Sequence, residues 1–142
     1  MAKLGDVCTI QSGGTPSRAV SDYWENGQIP WVKISDIKGK HLSITEECIT
    51  QTGLENSAAK IFPAGTILYT IFATLGETCI LDIAACTNQA IVGIQLNTDK
   101  LCLDYLYYYL LSQKATVTSM GRGVAQNNIN MRMLREMEIP IP

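Results

Sequence analysis

Hydrophobic and polar positions alternate in short blocks along the chain, and three of these blocks have the composition of β-strands. Residues 66–72, 78–83 and 90–96 are rich in β-branched and aromatic side chains and are separated by turn-like links. Side chains that branch at Cβ fit the pleated surface of a sheet. Weaker patterns predict strands at residues 7–11 and 29–34. The centre of the fold is therefore predicted to be a sheet.

Helical patterns are shorter and lie between or after these strands. Residues 103–113 carry an apolar stripe at helical spacing, which predicts the clearest helix. Residues 52–55 have the form of a capping box and predict a short helix that continues toward residue 60. Asn130 is suited to cap a last short helix, whereas residues 121–128 predict a flexible, amide-rich loop. This mixture predicts the α+β class, with a mostly antiparallel central sheet and short flanking helices.

Composition narrows the class of protein. A chain of 142 residues corresponds to about one domain, and 46% hydrophobic with 17% charged residues suits a compact globule. No apolar run approaches the ~20 residues that span a bilayer, so no membrane is expected. Five cysteines without a Cys-x-x-Cys pair fit neither a disulfide framework nor a zinc site. Cys8, Cys79 and Cys102 have apolar neighbours, which predicts reduced thiols and a cytoplasmic protein.

The distribution of charge changes the interpretation of the net charge. A value of −2 is unusual for a nucleic-acid-binding domain. However, residues 105–135 contain four cations and no acid, and residues 33–41 contain Lys33, Lys38, Lys40 and His41 with Asp36 as the one acid. A one-sided basic surface is possible on such a molecule. The alternative is that these are ordinary solvated cations.

No residue pattern indicates catalysis or a cofactor. A single histidine excludes a multi-histidine metal centre. The acidic residues show no spacing typical of a metal-dependent nuclease, and residues 121–123 lack the strand and third glycine of a dinucleotide loop. A cysteine hydrolase would have to use His41 and is a distant alternative. The sequence predicts a non-catalytic protein without metal or cofactor.

Two segments have side chains suited to DNA. Residues 121–130 carry Arg122, Gln126 and Asn127, and arginine matches guanine in the major groove while amides match adenine. The alternative is that the amides of this segment serve helix capping and backbone hydrogen bonds. Residues 13–18 place Thr15, Ser17 and Arg18 after a glycine pair, where hydroxyls and a cation could hold phosphate. Here the alternative is a rigid proline turn.

Other polar and aromatic residues are predicted to be structural. Trp24 and Trp31 are expected to fill the core or its edge, and Asn88 and Gln89 to make structural hydrogen bonds ahead of a buried strand. The tyrosines of the predicted helix at residues 103–113 are expected to contribute core or a partner surface.

Seven short motifs stand in a fixed order along the chain: residues 13–18 (Gly-Gly-Thr-Pro-Ser-Arg), 29–32 (Ile-Pro-Trp-Val), 65–68 (Gly-Thr-Ile-Leu), 87–89 (Thr-Asn-Gln), 105–110 (Tyr-Leu-Tyr-Tyr-Tyr-Leu), 121–129 (Gly-Arg-Gly-Val-Ala-Gln-Asn-Asn-Ile) and 139–142 (Ile-Pro-Ile-Pro). Together they resemble the target recognition domain in the DNA-specificity subunit of type I restriction–modification systems. The resemblance covers residues 4–142.

The resemblance implies a DNA reader that works with other chains. A full specificity subunit has two such domains, each reading half of a split target, joined by helices that bind the modification subunits. Residues 1–142 are therefore expected to form one target recognition domain, with the spacer helix and second domain absent from this sequence. The implied partners are double-stranded DNA, the methyltransferase subunits and the restriction subunit, with self-association possible for a half-length relative. The implied catalysis belongs to those other chains.

The DNA contacts expected on these grounds are Thr15, Ser17, Arg18, Lys33, Lys38, Lys40, Arg122, Gln126 and Asn127. The lysines are expected to give general affinity and residues 121–130 sequence choice. The competing hypothesis is an acidic α+β protein-interaction module whose tyrosine helix docks a partner without any DNA contact. Clustering of the basic residues would favour DNA, and their dispersal would favour the module.

Overall fold

The computed structural model describes the backbone of residues 1–122 and 129–142 and the side chains of residues 1–119 and 129–142. Its strands are β1 (Ala2–Lys3), β2 (Cys8–Ser12), β3 (Ile29–Val32), β4 (His41–Leu42), β5 (Glu47–Ile49), β6 (Ile67–Thr70), β7 (Thr78–Leu81), β8 (Cys86–Thr87), β9 (Ile91–Leu96) and β10 (Glu138–Ile139). Its helices are α1 (Leu4–Val7), α2 (Gln51–Glu55), α3 (Leu103–Ser112), α4 (Lys114–Arg122) and α5 (Met131–Glu136). Strands outnumber helices, and most pairings are antiparallel, which confirms the predicted α+β class.

A five-stranded sheet in the order β2-β9-β6-β7-β4 forms the centre. Its pairings are antiparallel except for β4 beside β7. All residues of β6 and β7 are buried, because both faces of the sheet are covered. This explains why these strands read as continuous apolar runs rather than as alternating patterns. Gly93 of β9 leaves room for the ring of Phe62, since a Cβ there would lie 2.4 Å from a ring carbon.

A second sheet, in the order β5-β3-β8, packs around Trp31. The Trp31 side chain is 2% exposed, and its Nε1 donates to the Gly14 carbonyl at 3.0 Å. Trp24 meets it edge to face, with ring centroids 5.1 Å apart. The prediction that both tryptophans belong to the core or its edge is confirmed.

The two ends of the chain meet in the remaining sheet. β1 pairs with β10, and α1 packs against α5. Asn130 Oδ1 accepts a hydrogen bond from Met133 N at 2.8 Å, so the predicted cap of the last helix is confirmed. Leu106 and Leu110 of α3 are fully buried in the largest core cluster, as the helical stripe predicts.

Several boundaries differ from those predicted. α2 begins after Thr50, whose Oγ1 accepts from Gly53 N at 3.0 Å, and it ends at Glu55. The extended backbone that leaves β5 puts Thr50 in the capping position instead of Thr52, and the Asn56 amide then donates to the Thr52 carbonyl. The strand predicted at residues 29–34 ends at Val32, and residues 34–36 form a 3-10 turn.

Two further expectations are wrong. α4 was not predicted, because its threonines, valine and glycine have weak helical propensity; burial of Val117 in the core supports it instead. Residues 121–122 close this helix and so do not belong to a loop. Cys102 is exposed to solvent rather than surrounded by apolar side chains, and its Sγ accepts a hydrogen bond from Tyr105 N at the start of α3.

Candidate nucleic-acid interface

A groove of about 540 Å³ opens where five separate segments of the chain meet. We call it the Gln89 groove. These segments are the 13–18 loop, strand β3, the β6–β7 connection, the β8–β9 turn and the residue that precedes Asn130. Its lining residues are Thr15, Arg18, Trp31, Ile71, Phe72, Asn88, Gln89, Ala90 and Ile129. Amides, a hydroxyl, a guanidinium group and two aromatic rings therefore line one space, and these are the groups that contact base edges and phosphates in protein–DNA complexes.

The 13–18 loop is held tightly against the second sheet. Gly14 N donates to the Thr87 carbonyl at 2.9 Å. A Cβ on Gly13 would lie 2.3 Å from the Thr87 carbonyl oxygen, and one on Gly14 would lie 2.6 Å from the backbone of residues 58–59. The glycine pair is thus required by close packing of backbone on backbone. Trp24 Nε1 donates to the Ser17 carbonyl at 3.0 Å, which secures the far end of the loop.

Of the three residues of this loop that are predicted to bind phosphate, two line the groove and one does not. Thr15 lines the groove, and its hydroxyl donates to Oε1 of Gln89. Ser17 is exposed but is not a lining residue. Arg18 lines the groove and has a 54% exposed side chain. The loop is therefore both the rigid turn and the candidate contact surface that the sequence left as alternatives.

Arg18 is fixed by an acid and an aromatic ring. Its two terminal nitrogens lie 2.5 and 3.1 Å from the carboxylate oxygens of Glu47, and its guanidinium carbon lies 3.9 Å from the Trp24 ring centroid. A paired, stacked guanidinium keeps one orientation. Hydrogen bonding from Arg18, assisted by Lys33, lowers the pKa of Glu47 to about 2. Glu47 is therefore ionised throughout the neutral range.

The lysines of residues 33–41 lie outside the groove, and two of them are already paired. Lys33 Nζ is 3.0 Å from Glu46 and 3.2 Å from Glu47. Lys40 Nζ is 3.1 Å from Asp104 and 3.3 Å from the Tyr108 hydroxyl.

Lys38 is exposed and has no ion pair with any described residue. The interpretation of this segment as cations opposed by Asp36 alone is thus wrong, because strand β5 and helix α3 bring acids to Lys33 and Lys40. Arg18 and Lys33 cluster at Glu47, whereas Lys40, just before β4, lies apart and pairs with Asp104 of α3.

The predicted base-reading segment is only partly described. Arg122 is the last residue of α4, and its side chain lies outside the described part of the structure, as do Gln126 and Asn127 entirely. The described chain resumes at Ile129, which lines the groove and donates its N–H to the Ile71 carbonyl at 3.0 Å. These three residues stay predictions, but one end of their segment joins the groove.

Sequence reasoning missed Phe72 and the groove position of Gln89. Asn88 makes the structural hydrogen bonds expected of it, because its Oδ1 accepts from Ala90 N at 3.0 Å. Gln89 instead extends into the groove and contacts Thr15. The sequence predicts that Phe72 ends the strand at residues 66–72, yet β6 ends at Thr70 and the Phe72 side chain is 48% exposed on the β6–β7 connection. Its neighbour Ala73 has a positive φ of 63°, a backbone strain that often marks functional loops.

The described residues offer little for other chemistry. No three His, Cys, Asp or Glu residues among them group as a metal site would require. Burial raises the pKa of Cys8 and Cys86 to about 11 and that of Cys79 to about 12, so these thiols stay protonated at neutral pH. His41 Nδ1 lies 2.8 Å from an oxygen of Asp82 on the surface. No helix within the described ranges is both long and apolar enough to cross a membrane.

The tyrosine helix is largely engaged within the domain. Tyr105 donates its hydroxyl to the Pro140 carbonyl at 2.8 Å, and Tyr109 donates to the Glu138 carbonyl at 2.9 Å. Tyr107 is buried, which leaves Tyr108, 55% exposed, as the tyrosine with the most accessible ring. Two of its tyrosines therefore contact the C-terminal segment and a third lies in the core, which leaves little of the helix to present to a partner.

Comparisons with known proteins agree with the motif order. Residues 1–142 match the family described as type I restriction modification DNA specificity domain. The MjaIX type I restriction enzyme specificity subunit of Methanocaldococcus jannaschii is 30% identical over 99% of this chain and 33% of its own length. The EcoR124I/EcoR124II specificity subunit of Escherichia coli is 24% identical over 98% of the chain and 36% of its own length. The chain thus spans about a third of these relatives.

Solved structures show the same fold. A chain from a study of type I R-M system assembly and conformational transition superposes with a TM-score of 0.77 at 25% identity, over 99% of this chain and 33% of its own. The HsdS subunit from Thermoanaerobacter tengcongensis gives a TM-score of 0.74 at 24% identity, over 99% of this chain and 32% of its own. On the match along its whole length, the chain belongs to the type I restriction modification DNA specificity domain family.

Proposed function

We propose that residues 1–142 form one target recognition domain that binds double-stranded DNA and reads one half of a split target. The domain is non-catalytic and acts in the cytoplasm, where it directs the methyltransferase and restriction subunits of a type I restriction–modification system. Membership of the specificity domain family and the names of the related specificity subunits support this proposal. The observation that carries it within the molecule is the Gln89 groove.

The groove has the properties that base reading requires. Five chain segments hold its walls through backbone hydrogen bonds, so its side chains are positioned before DNA arrives. Preorganised polar groups lose little entropy on binding. The groove is also beside Ile129, which follows the segment with Arg122, Gln126 and Asn127. We infer that both sets of side chains face the same stretch of DNA.

Compensated charge sets the expected strength of binding. Most cations of the predicted basic surface have acidic partners, so few phosphates can be neutralised by this domain alone. Affinity for DNA at physiological salt is therefore weak in the isolated domain and falls further as salt rises. Tight binding requires the rest of the complex.

The protein-interaction module remains the second candidate because Lys40 lies apart from Arg18 and is paired on α3. The exposed Tyr108 and Leu111 on that helix are the surface such a module would use. The internal hydrogen bonds of Tyr105 and Tyr109 reduce the area that is available to it. A module of this kind has no need of the Gln89 groove.

Methylome sequencing distinguishes the DNA-reading domain from the protein-interaction module. A host with the complete system is sequenced before and after the gene that carries this chain is replaced by one with a different target recognition domain. Half of the methylated target should change while the other half stays the same. Unchanged methylation would exclude the DNA-reading role. Arg122→Ala and Gln126→Ala in the intact protein should alter the same half-site without changing the melting temperature.

A further inference from the structure

Phe72 is a solvent-exposed aromatic side chain that lines the Gln89 groove. The Ile71 N–H donates to the Ala90 carbonyl at 2.9 Å, and the Ile71 carbonyl accepts from Ile129 N at 3.0 Å. Beyond it, Leu75 is buried in the core and Gly76 N donates to the Thr70 carbonyl at 3.0 Å. The connection that carries Phe72 is thus fixed on both sides, and the ring cannot simply retreat into the core.

Gln89 lies in the same groove and has hydrogen-bonding capacity to spare. Thr15 is the hydrogen-bond partner of its side chain among the described residues, through the contact of the Thr15 hydroxyl with Oε1. A carbonyl oxygen has a second lone pair, and the amide nitrogen has two donors. The amide therefore keeps one acceptor site and two donors while its orientation is held from behind.

Guanine is poorly matched to this groove. The usual protein partner of guanine is an arginine that donates two hydrogen bonds. The arginine here, Arg18, already directs both terminal nitrogens at Glu47 and stacks on Trp24. Among the described lining residues that are accessible, the Gln89 amide and the Phe72 ring are therefore the groups best suited to contact a base.

We infer that Phe72 and Gln89 together read one A·T pair in the major groove of the target, an assignment that rests on the proposed function. The Gln89 amide accepts from N6 and donates to N7 of adenine, the pairing that this side chain makes in protein–DNA complexes. Phe72 contacts the C5-methyl group of the paired thymine, the one apolar feature of that edge. Thr15 is a positioning residue that holds the amide.

Base analogues test each contact separately. Once methylome sequencing has identified the half-site, the intact protein in its complex is titrated with duplexes in which single thymines are replaced by uracil, which lacks the methyl group. At one position affinity should fall about fourfold, the effect of one lost apolar methyl contact. Replacing the paired adenine with 7-deazaadenine should lower affinity about tenfold, because one of two hydrogen bonds is lost.

Variants connect these effects to the two residues. Phe72→Ala should abolish the uracil effect at that position but leave the deazaadenine effect, and Gln89→Ala should do the reverse. Ile61→Ala is the matched control for Phe72, since Ile61 is also 48% exposed but does not line the groove. Gln51→Ala, in the exposed first turn of α2, is the control for Gln89. Thr15→Val should weaken the deazaadenine effect, whereas Thr15→Ser should retain it.

Three outcomes would overturn the inference. The first is a half-site without any A·T pair. The second is uracil insensitivity at every thymine of a half-site that is still read selectively. The third is an equal loss for thymine and uracil duplexes on Phe72→Ala, which would make the ring a wedge between bases. Failure of the proposed function looks different, because the parent protein would then show no preference for any duplex.

Discussion

Two cation–acid clusters in this domain use the same chemistry in different surroundings. At the Gln89 groove, Arg18 faces Glu47 and the ring of Trp24. Against α3, Lys40 faces Asp104 of that helix and lies 4.7 Å from the ring centroid of Tyr108. We call them the groove cluster and the α3 cluster. A count of charges along the sequence treats their two cations alike.

The clusters differ in how firmly the cation is placed. The Arg18 guanidinium is planar and is held by two hydrogen bonds and a stacked ring, beside side chains from four other segments. The Lys40 ammonium is a point charge whose acidic partner, Asp104, has a 64% exposed side chain. A cation that sits in a built groove can set the register of bound DNA, whereas an isolated surface pair adds only to the general field. Position in the fold, rather than charge, assigns the role.

The largest expected difference between the two regions concerns packing. Gly14→Ala places a methyl group 2.6 Å from backbone atoms of residues 58–59, beneath the groove cluster. The free energy of unfolding should fall by about 2–4 kcal/mol, because backbone must move to relieve the overlap. The matched control is Gly39→Ala next to Lys40, where no heavy atom lies within 4 Å of the added group. Urea unfolding measures both, and equal midpoints would show that the 13–18 loop can relax.

The second prediction concerns DNA affinity. Arg18→Ala should lower affinity for the target about tenfold and should lower affinity for a random duplex less. Without this cation the bound DNA loses its register, and the groove side chains no longer contact the target bases. Lys38→Ala and Lys40→Ala should weaken binding to all sequences equally and reduce the salt slope. The larger effect is expected at Lys38, which has no ion pair with any described residue. Fluorescence anisotropy of the complex with target and random duplexes, at several salt concentrations, gives all of these values. An equal loss for both duplexes on Arg18→Ala would remove the distinction between the clusters.

The third prediction is a pH dependence that belongs to the groove cluster. The pKa of Glu47 is about 2 in the folded protein, below its ordinary value of 4.5. Its contribution to stability is therefore fully present above pH 4.5 and is lost as the pH falls from there toward 2. Glu47→Gln should lose about 1 kcal/mol at pH 7, after allowance for solvent screening, and should show a flatter decline in acid.

Asp104→Asn is the comparison in the α3 cluster. It should lose less than about 0.5 kcal/mol at pH 7, because exposed single pairs contribute little. Unfolding free energies measured by urea between pH 3 and pH 7 test both substitutions. Parallel curves for the parent and Glu47→Gln would contradict the role of the Arg18 pair.

The smallest effect is expected from the hydroxyl of the α3 cluster. Tyr108→Phe removes the 3.3 Å contact with Lys40 and keeps the ring. Stability should change by less than about 0.5 kcal/mol, the range of surface substitutions, and the methylated sequence should not change. A change in the methylated half-site would show that the α3 cluster contributes to sequence recognition. Thermal unfolding and methylome sequencing provide the two readouts.

Local sequence patterns predicted most elements because their causes are local. Strands at residues 66–72, 78–83 and 90–96 were expected at nearly the right bounds, since β-branched side chains favour extended backbone over a few residues. The Asn130 cap was also predictable, because its side chain accepts from a backbone N–H only three residues away. α4 was missed because its support is the burial of Val117, which depends on distant residues.

The candidate site was predictable only in part. The 13–18 motif led to Thr15 and Arg18, which do line the groove. It gave no sign of Gln89, which lies 74 positions from Thr15, or of the exposure of Phe72. Both follow from the meeting of five segments, and the periodicity of a single segment does not indicate that meeting.

By itself the sequence determined the family, the fold class and the absence of a recognisable catalytic motif, because each depends on residue types and their order. The tertiary structure alone decided which charges are compensated and which side chains share a groove. β3 pairs with β5 and thereby brings Glu47 to Arg18, 29 positions away. β8 pairs with β3, which leads the chain to Gln89 beside the 13–18 loop. Strand pairing joins residues regardless of their separation, so charge balance and site geometry emerge only when the sheets close.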